Sequence, residues 1–203
     1  MKVAISYIVI FFSVISCSLL FAQNQTISQD ALTVIHNRKS VRHFTGKVVS
    51  PDDLTTIVKA GMAAPTAVNM QPWAFVVITD RVSLDALANA MPYAKMLDKA
   101  GAAIVVCAIP AKAFQSKEEF AIVDATCASE NILLAAEALG LGAVWTAVYP
   151  EKDRMDAVRK QLNIPEGIIP LNIIPIGYPT FEDKPKDKFK KENIYWEKWG
   201  TRA

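Results

Sequence analysis

The 203-residue sequence has only two histidines, His36 and His43, and three cysteines at wide spacing, Cys17, Cys107 and Cys127. No zinc-type ligand framework can be written from them, and a metal centre is not expected. Charge of one sign is lacking as well: 22 Lys and Arg against 20 Asp and Glu leave a net charge of +2. Binding to nucleic acid through bulk charge requires a basic excess that this chain does not have. With 52% hydrophobic residues and so little net charge, disorder is excluded as the main theme. Glycine is scarce, at eight residues, and no Gly- or Ser-rich stretch separates a second domain. No internal repeat is present. The length fits one domain behind a short targeting segment, with a substantial core.

Lys2 is the only charge before Asp30, and an apolar run extends from Ala4 to Ala22. A charged start, an apolar stretch and a small residue at the end read as an export signal over residues 1–22, cut after Ala22. Two alternatives stand beside it. Val14-Ile15-Ser16-Cys17 resembles a lipoprotein cleavage box with Cys17 lipidated, although the residues after Cys17 stay apolar. The run is also about long enough for an uncleaved anchor. All three place residues 23–203 outside the bacterial cytoplasm, periplasmic in the first reading, with membrane contact only through the leader. Export permits a disulfide, but Cys107 and Cys127 sit in apolar surroundings and read as small buried hydrophobes.

The remainder reads as one alternating α and β domain. Ser28 caps a first helix to about Asn37, with Leu32 and Ile35 inward. Ser50-Pro51-Asp52-Asp53 is a helix start with a Ser cap, Pro at the first position and acids in the first turn. That helix stops before Pro65. Strands are expected at Trp73–Thr79, Ala102–Ile109 and Ala143–Tyr149. Helices are expected at about Val82–Ala90, Ile122–Leu139 (ended by Gly140) and Glu151–Leu162. Ile168–Gly177 is a fourth apolar run whose Pro170 and Pro175 predict an edge position or a bulge. From about residue 180 the chain becomes Lys-rich. Phe189, Ile194, Tyr195, Trp196 and Trp199 are too large and apolar for a solvated tail and call for a packing surface, on this domain or on a second subunit.

Three clusters carry chemistry. Arg38-Lys39-Ser40-Val41-Arg42 puts three cations and a hydroxyl in five residues, a composition suited to an anion; a solvated basic helix end has the same composition. Pro65-Thr66-Ala67-Val68-Asn69-Met70-Gln71-Pro72-Trp73 is a polar loop stiffened by proline, suited to a planar polar ligand, or a plain turn. Gly140-Leu141-Gly142 follows a helix rather than a strand and lacks a third glycine, so it is not a dinucleotide fingerprint.

Taken in order, these clusters resemble the nitroreductase-like flavin enzymes. The family pattern of a basic Ser-containing start, a Pro-Ser-x-x-Asn-x-Gln-Pro-Trp loop, Gly-Leu-Gly, Gly-Tyr-Pro and a cationic tail stands here as Arg38–Arg42, Pro65–Trp73, Gly140–Gly142, Gly177-Tyr178-Pro179 and Lys186-Asp187-Lys188. The match spans about residues 30 to 195. Lys39, Thr66 and Lys188 stand where Arg, Ser and Arg are frequent. The resemblance implies an α+β fold with a central, mainly antiparallel sheet flanked by helices. It implies a homodimer with two FMN sites at the interface and a C-terminal arm around the partner. By the same resemblance Arg38, Ser40 and Lys188, with Lys186, hold the FMN phosphate, Lys39 belongs to the same cofactor-binding set, and Arg42 lies towards the ribityl and pyrimidine end. Pro65, Thr66, Asn69 and Gln71 reach the flavin from the other subunit. Backbone around Ala147 and Val148 faces N5 and O4, and Lys95 lies near N1 and O2.

The activity so implied is an FMN-dependent oxidoreductase. NAD(P)H gives a hydride to flavin N5, and a nitroaromatic, quinone or similar small molecule is then reduced in a ping-pong cycle. The flavin carries the chemistry, so no catalytic side chain is named; a cation at N1 and O2, Lys95 or Arg42, stabilises the reduced ring. Acceptor choice is expected to lie in Ala111–Phe120, with Lys112, Phe114 and Phe120 as candidates. An exported, non-catalytic flavin-binding or electron-relay module is the alternative.

Overall fold

Ser50 starts its helix by local chemistry alone: its Oγ accepts from the Asp53 N–H at 3.0 Å, and Pro51 occupies the first turn with Asp52 and Asp53 behind it. This is α2 (Pro51–Met62) in a computed structural model that describes residues 30–201. The export segment, Cys17 and the Ser28 cap lie outside the described residues. The chain divides into two units between Thr33 and Val34, within its first described helix, and the elements after that helix belong to the second.

Ahead of α2 stands α1 (Ala31–Asn37). After it come β1 (Trp73–Ile78), α3 (Arg81–Ala90), β2 (Ala102–Ala108) and α4 (Glu118–Ala138). The short strands β3 (Gly142–Ala143) and β4 (Thr146–Ala147), α5 (Lys152–Leu162) and β5 (Ile169–Gly177) complete the order. The strands form one antiparallel sheet in the order β1-β2-β5-β3, with β4 also on β5. The fold is α+β.

Helices cover both faces of the sheet. Ile104, Val106, Ile174 and Ile176 point to one side, where Leu54 and Ile57 of α2 and Ile132 of α4 pack. Ala103, Val105, Cys107 and Ile173 point to the other, against Leu84 and Leu87 of α3 and Val158 of α5. Every residue of β2 and β5 is buried. Burial on both faces explains why these strands read as unbroken apolar runs rather than alternating ones.

Three expectations are corrected and a fourth is narrowed. β5 is paired on both sides, which excludes the edge position and leaves the bulge. Its prolines are tolerated because Pro170 sits at a register shift opposite Val106/Cys107, while Pro175 falls between the segments covered by β4 (Asn172–Ile173) and β3 (Ile176–Gly177). The expected strand Ala143–Tyr149 is broken into β3 and β4 around Val144 and Trp145. Leu32 and Ile35 of α1 are 62% and 50% exposed, and Val34 is the buried residue of that helix. α4 begins at Glu118, with Glu118 and Glu119 in its first turn where they favour the helix dipole.

The Gly-Leu-Gly segment has two separate structural duties. Gly140 ends the approach to β3 at φ +71°, a left-handed conformation costly to other residues. A Cβ on Gly142 would lie 2.6 Å from Val41 Cγ1. That close approach lets the Ser40–Val41 segment run beside β3, with a Ser40–Ala143 bridge and the Val41 N–H donating to the Ala143 carbonyl at 3.0 Å.

Candidate functional site

The chain brings two distant basic segments together by backbone pairing. Beyond β5, Phe44 bridges Pro179, the Thr45 N–H donates to the Tyr178 carbonyl, and the Thr180 N–H donates to the His43 carbonyl. Lys47 Nζ sits 4.2 Å from the centre of the Tyr178 ring. This pairing lays residues 183–188 beside residues 38–43. Between them is a cleft of about 320 Å³ lined by Arg38, Lys39, Ser40, Arg42, His43, Asp183, Lys184, Lys186 and Lys188. Six of the nine residues are Lys or Arg, and Asp183 is the single carboxylate.

Two of those cations are held by α4: Arg38 Nε lies 3.3 Å from Glu130 Oε1, and Lys39 Nζ lies 3.0 Å from Glu137 Oε1. Lys39 is thereby turned towards the helix end and also lines a neighbouring hollow with Val41, Gly142 and Phe181. Among the described residues, Arg42, Lys184, Lys186 and Lys188 have no carboxylate within ion-pair distance. Their charge is left for an incoming anion. Ser40 is exposed and can add a hydroxyl donor. His43 and Lys184, which sequence reasoning missed, complete the ring of residues; His43 packs on Phe181 with ring centres 5.2 Å apart.

Arg42 also lines a second cleft, of about 470 Å³, with Tyr93, Lys95, Met96, Val144, Trp145, Thr146, Ala147 and Arg154. Lys95 and Ala147 thus line the same cleft as Arg42. Val148 does not offer a free amide there, because its N–H donates to the Leu171 carbonyl at 3.2 Å and its side chain is fully buried. The hydroxyl of Thr146 is buried without a partner among the described residues.

Pro65, Thr66, Asn69 and Gln71 line neither cleft. Their loop leads into β1, at the opposite edge of the sheet from β3, about three strand spacings or 14 Å away. Its backbone is strained: Val68, Asn69 and Gln71 take φ of 44°, 59° and 52°. Left-handed non-glycine residues cost on the order of 1 kcal/mol or more each, most for a β-branched Val. The loop is held by the Gln71 N–H on Thr66 Oγ1 (3.1 Å), by Gln71 Nε2 on Asn69 Oδ1 (3.2 Å) and by the Ala67 N–H on Asp124 Oδ1 (3.2 Å). Asp124 is buried in α4; one carboxylate on an otherwise Ala-rich helix face was the signal that could have found it. Lys112, Phe114 and Phe120 line neither cleft. The Phe114 and Phe120 rings meet edge to face at 5.5 Å. The Ile109 N–H donates to the Pro72 carbonyl, which ties that segment to the β1 edge.

Cys107 and Cys127 are free, Cys107 buried and Cys127 half-buried. Burial pushes the Cys107 thiol from 9.0 up to about 12, so it is neutral and inert at ordinary pH. Its contribution to stability is full below pH 9 and falls as pH rises from 9 towards 12, because the unfolded chain ionises first. Among the described residues there is no metal-binding cluster and no helix long and apolar enough to cross a membrane.

The sequence profile of the Nitroreductase family matches residues 35–92 and 83–178. A protein of Archaeoglobus fulgidus, provisionally named NADH dehydrogenase/NAD(P)H nitroreductase, is 41% identical over 174 residues, 84% of this chain and 99% of its own length. A crystal structure of a protein with the same provisional name from Bacteroides thetaiotaomicron shares 46% identity at a TM-score of 0.79, covering 83% of this chain and 98% of that one. A nitroreductase from Desulfovibrio desulfuricans, also provisionally named and crystallised with FMN, shares 28% identity at a TM-score of 0.72, covering 84% and 98%.

Proposed function

The chain belongs to the nitroreductase family, and from that premise we propose that it is an FMN-dependent oxidoreductase that takes electrons from NAD(P)H and passes them to a small nitroaromatic, quinone or similar acceptor. The observation that carries the reading is the junction at Arg42 of two clefts: one with four uncompensated cations, the other with polar and aromatic walls.

The residues present fit FMN. A phosphate monoester near charge −2 requires several donors and positive charge. Arg38, Ser40, Lys186 and Lys188 supply both, with Arg42, Lys184 and His43 around them. The unpartnered Thr146 hydroxyl and the cations Arg42 and Lys95 suit the oxygen- and nitrogen-rich edge of a flat heterocycle in the second cleft. When bound, FMN supplies the redox chemistry, accepting a hydride from NAD(P)H at N5 and releasing electrons to an acceptor that takes the donor's place. The chain's part is to fix the phosphate end and to present positive charge where the ring becomes more negative. It also supplies a wall of Val144, Trp145 and Ala147 that excludes water.

A homodimer belongs to the same proposal. Thr66, Asn69 and Gln71 lie across the sheet from the Arg38 cleft, so a second copy is the means by which they reach a shared ligand. Ile35, Val123, Phe189, Trp196 and Trp199 are all at least half exposed, large apolar groups that a partner would cover. Export through the apolar leader completes it, with a mature chain expected to begin at Gln23. Mass spectrometry of the protein recovered from the cell envelope reads that terminus, and an intact Met1 or a lipidated Cys17 would replace the cleaved form.

The experiment is the visible spectrum of the protein purified with FMN, followed by NADH or NADPH without oxygen. A bound flavin that bleaches with either nucleotide supports the proposal. A bound flavin that resists both removes the NAD(P)H half and leaves an electron relay. A folded dimer that holds no flavin overturns it.

A further inference from the structure

The second cleft contains one cation more than the flat ring it would hold requires. Arg42 and Lys95 already face that cleft, and Arg154 joins them from the first turn of α5. Its guanidinium lies 5.4 Å from the centre of the Tyr93 ring, and Nη1 donates to the Ala147 carbonyl at 3.3 Å. A carbonyl and an aromatic face orient a guanidinium without neutralising it. Of the carboxylates near it in sequence, Asp156 is taken by Lys152 and Arg159, and neither Glu151 nor Asp153 comes within ion-pair distance of Arg154. No carboxylate lines the cleft, and none of the described residues pairs with Arg154. Tyr93 is 72% exposed, which sets the Tyr93–Arg154 pair at the outer wall of the cleft, while Trp145 forms a half-buried aromatic wall.

An oriented guanidinium with most of its five N–H donors free is suited to a two-pronged grip on a carboxylate. We propose that Arg154, braced by Tyr93 and the Ala147 carbonyl, is a specificity-determining residue that selects planar electron acceptors carrying a carboxylate over neutral acceptors of the same shape. The assignment rests on the reading of this cleft as the redox site. Arg42 serves the cofactor at the junction of the clefts, and Lys95 is exposed, whereas Arg154 is half-buried and held in place by Tyr93 and the Ala147 carbonyl. Arg154 is the cation left for the acceptor.

The test uses the full chain loaded with FMN and two acceptors of equal shape, 4-nitrobenzoate and 4-nitrobenzamide. In Arg154→Gln the ratio of kcat/KM for the acid over the amide is expected to fall about tenfold, mostly through KM, the lower end for a charge-assisted contact at a partly exposed position. Arg154→Lys restores part of the ratio, since it keeps the charge but not the fork. An equal loss on both acceptors overturns the proposal, because it shows Arg154 only bracing Ala147; so does an unchanged ratio.

A second measurement needs no turnover. Binding of benzoate and benzamide, read by ligand-observed NMR, should show the same tenfold loss for benzoate alone in Arg154→Gln. Absence of that contrast overturns the role of Arg154 even in an active enzyme. Its presence in a protein that reduces neither nitro compound upholds Arg154 and overturns the redox reading instead.

Discussion

Two polar segments, Arg38–Arg42 and Pro65–Gln71, both follow a helix and both face solvent, yet they are built on opposite principles. The first is relaxed. It lies along β3, made possible by the missing side chain of Gly142, and its cationic counterparts Lys186 and Lys188 arrive from the far end of the same chain. The second is strained. Three of its residues sit at positive φ, held by their own side chains and by one buried carboxylate, Asp124. The first segment lines a cleft within one chain, and the second lines neither of the two clefts described above. Backbone strain held in an exposed loop fits the proposal that it meets a ligand shared with a second copy.

The largest effect is expected from Asp124→Ala. It leaves the Ala67 N–H without its acceptor and lets the loop relax, at about 2–3 kcal/mol, or a melting temperature lower by roughly 5–10 °C for a chain of this size. Asp124→Asn keeps an oxygen acceptor and should recover most of that loss. A melting temperature unchanged in Asp124→Ala would mean that the loop holds its shape alone, and the contrast between the two segments would fail. Gly142→Ala attacks the other segment. The new methyl meets Val41, and displacing it costs about 2 kcal/mol; FMN affinity should fall with it, because Ser40 moves. Lys188→Ala should weaken FMN binding about tenfold, or about 1.4 kcal/mol, with the melting temperature of the FMN-free protein unchanged. The loss should shrink in high salt. Gly140→Ala is smallest, about 1 kcal/mol of folding stability from its positive φ alone. Equal effects on FMN binding from the two glycine variants would show that the close approach at Gly142 is not what shapes the cleft.

The legibility of this fold follows the range of the forces. The Ser50-Pro51 start, the Gly140 stop and the apolar runs of β1 and β2 were legible because their causes lie within a few residues. For β5 the prolines announced an edge or a bulge, and only other strands decide between the two: a register slip opposite Val106 and a break between β3 and β4 accommodate the rings. Leu32 and Ile35 were placed inward because amphipathic spacing cannot say which apolar face belongs to the chain's own core. In the site, the polar clusters could be read one by one, and their order suggested a family. That Arg38 and Lys188 share a cleft depends on backbone pairing near Phe44 and Pro179, which no local pattern announces. Asp124, His43 and Arg154 were missed for the same reason, since each gains its role from a partner far away in sequence.

The pairing of residues 43–45 with 178–180 also sets an order in time. During synthesis Arg38 emerges about 150 residues before Lys188, and at ordinary elongation rates of roughly 5–20 residues per second the interval is about 8–30 s. Throughout that interval the basic segment has no opposite wall. On the proposed reading of this cleft as the FMN phosphate site, a phosphate that meets the growing chain finds half a cradle, and only a chain extended past Lys188 can close around it. Cofactor loading is then a late event, and in the proposed exported chain it would fall to the compartment where folding finishes.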